Sequence, residues 1–400
     1  MHLDDNTLHS MEIPGGAETC TNSICAAKDS TTTVPTQSRS CAGGTIEFST
    51  AKLRGLPARF EAQKIAFGPV VFQCVRIAWK SGLLAHLDKA GKVGASLDEI
   101  VATGLLKSYA ATVLLETALT AGVVRRQDNR YLLTRIGENV LHDELTQINI
   151  DYVHDVCYQG LFALEESLRE EKPLGLQALG DWPTLYEGLA TLSEPARTSW
   201  FKFDHYYSDS AFAQALPHVF ARRPGRVMDI GANTGKWTLH CLQHEATVRL
   251  TLLDLPGQLE QARLNLQQAG LLERADLHPI DILDYDAPFP GDMDAIWMSQ
   301  FLTCFGLEAI GHIFRRAAAS LADGGSVWVL DTFWDRQAHE IASYCVINTS
   351  PYFSAIASGN SKMYESDVII GCAAASGLKL ADAIDGLGIS HSLLRFERTK

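Results

Sequence analysis

The apolar positions of this 400-residue chain change their period along its length, and the change divides it into segments. From Phe60 to Leu87 the residues Ile65, Val70, Val71, Cys74, Val75, Ile77, Ala78 and Trp79 leave few polar gaps and predict one helix that is apolar nearly all round. Such a helix needs cover on every side, which in one small domain means a partner subunit. Ser96-Leu97-Asp98-Glu99 reads as a capping box opening a second helix, residues 109–119 as a third, and residues 123–134 as a hairpin turning at Gln127 to Asn129. Three helices and a hairpin predict a winged helix over residues 48–145.

Residues 146–221 read as two or three further helices ending in an aromatic cluster: Trp200, Phe201, Phe203, His205, Tyr206 and Tyr207. From 222 to 400, apolar runs near 226–230, 249–253, 275–280, 294–299, 326–331 and 391–397 predict strands separated by helices. That alternation predicts an α/β, doubly wound parallel sheet with its ligand outside the carboxyl ends of the strands. Residues 1–47 are rich in Ser, Thr, Gly and Cys without any period. They are expected to be a disordered leader, either a tail with its own use or a stretch upstream of a later start such as Met11.

The most informative stretch is Val227-Met228-Asp229-Ile230-Gly231-Ala232-Asn233-Thr234-Gly235, a strand running into a glycine turn, followed from Lys236 by a helical pattern. Glycines let a backbone approach a ligand closely, and the next helix offers unpaired N–H groups. A dinucleotide fingerprint would need glycine at Asn233 and Lys236, and a P-loop would need Gly-Lys-Ser/Thr in this register; neither is present. What remains is Asp-x-Gly-x-x-x-Gly, with a second apolar run ending at Asp254, where a carboxylate is placed to accept from both hydroxyls of a ribose.

With Asp254-Leu255-Pro256 and Asp281-Ile282 after the third strand, the pattern resembles class I S-adenosylmethionine (SAM)-dependent methyltransferases. The Asp-Leu-Pro form is similar to the small-molecule O-methyltransferases of the plant caffeate and bacterial hydroxyneurosporene type. The resemblance spans about residues 60–400 and implies a Rossmann-like catalytic domain over 222–400. It also implies an N-terminal winged-helix dimerisation domain, a helical acceptor-pocket roof over 146–221, and a homodimer. For the cofactor it implies Asp229, Gly231, Asn233 and Gly235 around the methionine portion, and Asp254 and Leu255 at ribose and adenine. Asp281 and Ile282 then meet the adenine ring, and Ser299 takes a position often held by Lys or Met.

Composition narrows the partners. The net charge of −13 argues against nucleic acid, and the recognition-helix candidate Lys107–Leu115 carries a single basic residue. No run reaches membrane-spanning length and no signal peptide opens the chain, so a cytoplasmic location is expected. The nine cysteines are scattered without a C-x-x-C pair and read as free thiols, with no metal site. The expected partner is a small, aromatic secondary-metabolite acceptor.

The catalytic positions depart from the family. Its O-methylating members carry Leu-His-Asp-Trp after the fourth strand; this chain has Leu302-Thr303-Cys304-Phe305, and Thr303 takes no proton at neutral pH. Of the family's two supporting acids, Asp331 matches one and Lys362 stands at the other. Three arrangements satisfy these residues. His205 with Asp331 replaces the base; or the acceptor is a carboxylate, amine or carbon that needs none, with Lys362 holding an acidic substrate; or SAM is bound without methyl transfer, by a different enzyme or a regulator. His154 and Tyr158, four residues apart on one helix face, and Phe201 are the remaining acceptor-pocket candidates.

Overall fold

The computed structural model describes residues 48–399; the leader expected over 1–47, with Cys20, Cys25 and Cys41, lies outside the described residues. The apolar stretch that opens the fold forms two helices rather than one. α1 (Gly55–Lys80) stops at Ser81, and Gly82 turns the chain at φ 83° before α2 (Leu83–Ala90). Glycine adopts that left-handed φ without a Cβ penalty, which is why the break falls there. After β1 (Ala95–Ser96), α3 (Leu97–Ala102) begins at the expected capping box, the Glu99 amide donating to Ser96 Oγ at 3.2 Å and the Ser96 amide to Glu99 Oε2 at 2.9 Å.

α4 (Ser108–Thr120) leads to β2 (Val124–Gln127) and β3 (Arg130–Leu133), whose two-residue turn puts Asp128 and Asn129 at positive φ, as a tight hairpin requires. β1 completes the wing in the order β1-β3-β2. Leu83, Leu84, Leu87, Ile100 and Leu115 form the enclosed core of this unit. α1 gives only part of its surface to that core: Leu56, Phe60, Ile65, Phe67 and Val70 are each more than half exposed.

Five helices follow: α5 (Arg135–His142), α6 (Glu144–Tyr152), α7 (Leu164–Glu170), α8 (Leu185–Gly188) and α9 (Ala196–Phe220). α6 runs into a π-turn over Val153–Cys157, and α13 (Glu340–Tyr352), from the far end of the chain, runs into another over Phe353–Ala357. Tyr152, Trp200, Tyr352 and Phe353 share one apolar core, with the Tyr152 and Phe203 rings stacked at 3.8 Å.

The large sheet has seven strands: β4 (Arg226–Ile230), β5 (Arg249–Asp254), β6 (Ala275–Pro279), β7 (Met293–Ser299), β8 (Leu321–Asp331), β9 (Leu378–Leu387) and β10 (His391–Arg398). Their order is β6-β5-β4-β7-β8-β10-β9. β4 to β8 are parallel, as expected, but β10 runs antiparallel to both β8 and β9. The sheet is therefore mixed, and β9 is a strand the apolar pattern does not announce. As an edge strand it is half exposed and carries Asp382 between two alanines and Asp385 between Ile384 and Gly386.

Alternate residues of the central strands face two cores. Val227, Leu250 and Leu252 meet α9, α10 (Lys236–His244) and α11 (Pro256–Gln268), while Met228, Ile230 and Ile296 meet α12 (Leu307–Ser320) and α14 (Ser366–Ala375). Strand order reverses between β4 and β7, which opens a crevice past their carboxyl ends. Among the described residues, no helix is long and apolar enough to cross a membrane.

Candidate functional site

A cavity of about 720 Å³ fills that crevice. Asp229, Gly231, Asn233, Asp254, Leu255, Asp281, Ile282 and Ser299 all line it. Gly231 sits at φ 74°, where a Cβ would come within 2.2 Å of the Phe301 ring, so the turn and the ring pack only because glycine is there. Gly235 stands behind the wall at φ 76°, opening α10 and leaning on Ala262.

The Asp254 carboxylate is held by two backbone donors, Asn233 N–H at 2.8 Å and its neighbour Leu255 N–H at 2.7 Å, and burial raises its pKa. Each oxygen keeps a lone pair for a guest. Asp229 accepts from the Thr238 hydroxyl at 2.7 Å, tying β4 to α10, and burial pushes its pKa up to about 7. Asp281 is exposed at the rim and accepts from the Leu283 amide at 2.9 Å. The Ser299 hydroxyl and the indole N–H groups of Trp237 and Trp297 are buried along this cavity with no hydrogen-bond partner among the described residues. Orphaned donors in a roomy cleft suit a polar guest, and these residues fit a nucleoside with a charged tail.

A second, smaller cavity of about 80 Å³ adjoins the first. Tyr186, Trp200, Asp204, Gln300 and Cys304 line both. Asp331 and Thr303 line the second only, where Asp331 accepts from the Thr332 amide at 2.8 Å and burial pushes its carboxyl up to about 7. Asp204 is raised to about 6 by burial and by the nearby Asp209, against Lys236 and a bond from Gln300. Among the described residues, no Lys, Arg or His lines the second cavity.

His205 lines the large cavity, not the small one, so it and Asp331 face different chambers and form no pair. Its Nδ1 lies 3.8 Å from Asp209 and 3.9 Å from Asp204, and desolvation lowers its pKa, helped by Lys236. Of the acceptor-pocket candidates, Thr303 lines the small cavity and the other four line neither. His154 binds Asp155 at 2.7 Å, Tyr158 donates to the Pro69 carbonyl of α1 at 3.0 Å, Phe201 packs beside the His205 ring, and Lys362 is exposed. Packing α1 against the π-turn uses the helix face that the i, i+4 spacing had marked.

Asp204 was overlooked in the sequence although Trp200, Asp204, Ser208 and Phe212 lie at i+4 steps along α9 and all line the large cavity. An acid on an aromatic helix stripe was the available signal. Gln300, which follows β7 at φ 47°, offered none. Among the described residues, no group of three His, Cys, Asp or Glu is arranged to hold a metal ion.

Residues 59–131 match the Dimerisation2-like domain and residues 228–327 the methyltransferase domain. The protein is a SAM-dependent methyltransferase. This methyltransferase is 24% identical to the L-tyrosine C(3)-methyltransferase of Streptomyces lavendulae over 272 residues, 67% of this chain and 73% of that one. Its fold is similar to the SAM-dependent methyltransferase SibL (TM-score 0.63, 22% identity, 85% of this chain and 99% of that one). It is also similar to the mitomycin 7-O-methyltransferase MmcR (TM-score 0.62, 17% identity, 86% of this chain and all of that one).

Proposed function

We propose that the protein methylates a small aromatic secondary-metabolite acceptor, with SAM in the large cavity and the acceptor reaching it from the small one. The observation that carries this reading is the shared wall of Tyr186, Trp200, Asp204, Gln300 and Cys304, through which two differently lined chambers meet. SAM supplies an electrophilic methyl group on a positively charged sulfur. Asp254 receives the ribose hydroxyls, Gly231, Asn233 and Gly235 shape the backbone beside the methionyl chain, and Asp281 and Ile282 border the adenine. Asp229 acts indirectly, by fixing α10 through Thr238, and the Ser299 hydroxyl donates to the guest.

Methylation of a hydroxyl is the favoured reaction. It requires the acceptor's proton to leave, and Asp204, half-buried between the two chambers, is the group that takes it; Asp331 contacts the acceptor deeper in. His205 stands beside Asp204 on the cofactor side. A second reading, transfer to a ring carbon, is favoured by the absence of any imidazole from the small cavity. The domain divisions at 48–145, 146–221 and 222–400 follow this assignment, as do a homodimer through the exposed face of α1 and a cytoplasmic location.

The test supplies the purified protein with SAM labelled in its methyl group and a small-molecule extract of the source cells. A labelled product seen by mass spectrometry supports transfer, and its fragmentation assigns oxygen or carbon. SAM that binds without any label moving, in extracts shown to contain aromatic acceptors, would turn the assignment toward a non-methylating role.

A further inference from the structure

The small cavity is unlike an ordinary polar pocket. Its walls are aromatic, among them Tyr152, Trp200, Tyr352 and Phe353, and its charged groups are Asp204 and Asp331 alone. Asp331 is 2% exposed and has no Lys, Arg or His partner among the described residues, so none of these neutralises it when ionised. Aromatic faces and a desolvated carboxylate attract the same guest, a compact cation: the ring quadrupoles stabilise positive charge at their faces and the carboxylate supplies the counter-charge. A carboxylate guest meets the reverse, two like charges in a dry chamber with no donor of positive charge.

Size sets where the cation sits on the acceptor. At about 80 Å³ the chamber is about half the roughly 150 Å³ of an engineered apolar cavity that encloses benzene. It holds a side group, while the ring of the acceptor lies across the shared wall toward the large cavity.

We infer that the small cavity is an ammonium site, and that the acceptor is a single aromatic ring carrying a short alkylammonium arm that reaches Asp331. This rests on the reading of that cavity as the acceptor chamber. A consequence follows for protons. The thiols and phenols around Asp331 do not titrate near neutrality, since burial pushes Cys304 and Tyr207 up to about 12 and raises Cys345, Tyr152, Tyr186 and Tyr352. Only Asp204 and Asp331 change charge there, and burial holds part of them protonated until a cation arrives. Entry of an ammonium group therefore expels a proton.

Titration calorimetry of the full chain with three para-substituted phenols that differ in the charge of a short side arm decides it: tyramine, 4-ethylphenol and 4-hydroxyphenylacetate. Tyramine should bind about tenfold more tightly than 4-ethylphenol, and 4-hydroxyphenylacetate more weakly than either. Near pH 6.5, about the midpoint for these carboxyls, the tyramine enthalpy should vary with the ionisation heat of the buffer, reporting proton release. Asp331→Asn should bring tyramine down to the level of 4-ethylphenol and abolish the release. If that variant does not fold, the ranking and the buffer dependence of the unaltered protein still decide. Binding of 4-hydroxyphenylacetate as tight as tyramine, an enthalpy independent of buffer, or no binding of any probe would overturn the inference. S-adenosylhomocysteine is titrated alongside: its failure to bind sinks the methyl-transfer reading, whereas its binding with no amine preference sinks only the ammonium site.

Discussion

His391 and Gln300 are joined by a hydrogen bond of 2.8 Å between imidazole Nε2 and amide Oε1, with the histidine fully enclosed at the start of β10. Burial pushes the imidazole down to about 3, so the ring is neutral, and because an amide oxygen only accepts, the ring proton resides on Nε2. That bond fixes which way the Gln300 amide faces and leaves its N–H groups for Asp204. A residue on the last strand thus orients a group in the wall between the two cavities.

The buried histidine gives a pH signature. The unfolded chain protonates it near 6.5 and the folded protein only near 3, so stability falls as pH drops below 6.5, by about 1.4 kcal/mol per pH unit for this group. His391→Gln should flatten the acid side of the thermal-denaturation profile between about pH 6.5 and 5. An unchanged slope would mean that the imidazole gains its proton without unfolding.

Asp254→Ala should cost about 100-fold in affinity for S-adenosylhomocysteine by calorimetry, since it removes the carboxylate proposed to accept from the ribose. Equal affinity would place the nucleoside elsewhere in the large cavity.

Asp204→Asn should lower turnover by about 10² to 10⁴ while leaving SAM affinity within a few-fold, and should erase the acid limb of the turnover profile near pH 6. Ionised Asp204 is the active form, so activity rises with pH through that value. His205→Ala should cost less. The opposite ranking of these two variants would return the proton-accepting role to the histidine.

Charged substitutions on the exposed face of α1, Phe60→Asp with Ile65→Asp, should convert the proposed homodimer to a monomer in analytical ultracentrifugation. Both side chains are more than half exposed, so the winged-helix core should survive with little change in melting temperature. A dimer that persists would move the interface away from α1.

The parts of the fold that were legible in the sequence are those whose neighbours are local. β4, β5 and β7 are buried on both faces and read as apolar runs, and the glycine turn with Asp254 marks the large cavity because both follow strand ends. The capping box at Ser96 and the turn at Asp128-Asn129 are local for the same reason. The small cavity was not legible. Its walls come from residues as far apart as Tyr152, Trp200, Gln300, Asp331 and Met363, and no spacing along the chain relates them. The failures have physical causes. His154 and Tyr158 share a helix face as expected, but the face is spent on Asp155 and α1, and Lys362 lies at an exposed position next to buried Met363.

The wall between the cavities separates two inheritances. The large chamber is built mostly from strand ends and the turns after them, whereas the small one draws on α9, α13, the end of α6 and the π-turn after α13, and among the described residues only Tyr186, Trp200, Asp204, Gln300 and Cys304 serve both. Acceptor preference is therefore open to redesign by grafting, from a relative, the α13 side chains and those of α9 that face only the small cavity, Phe203 and Tyr207, with donor affinity preserved so long as the five shared positions and the rest of the large-cavity wall are left alone.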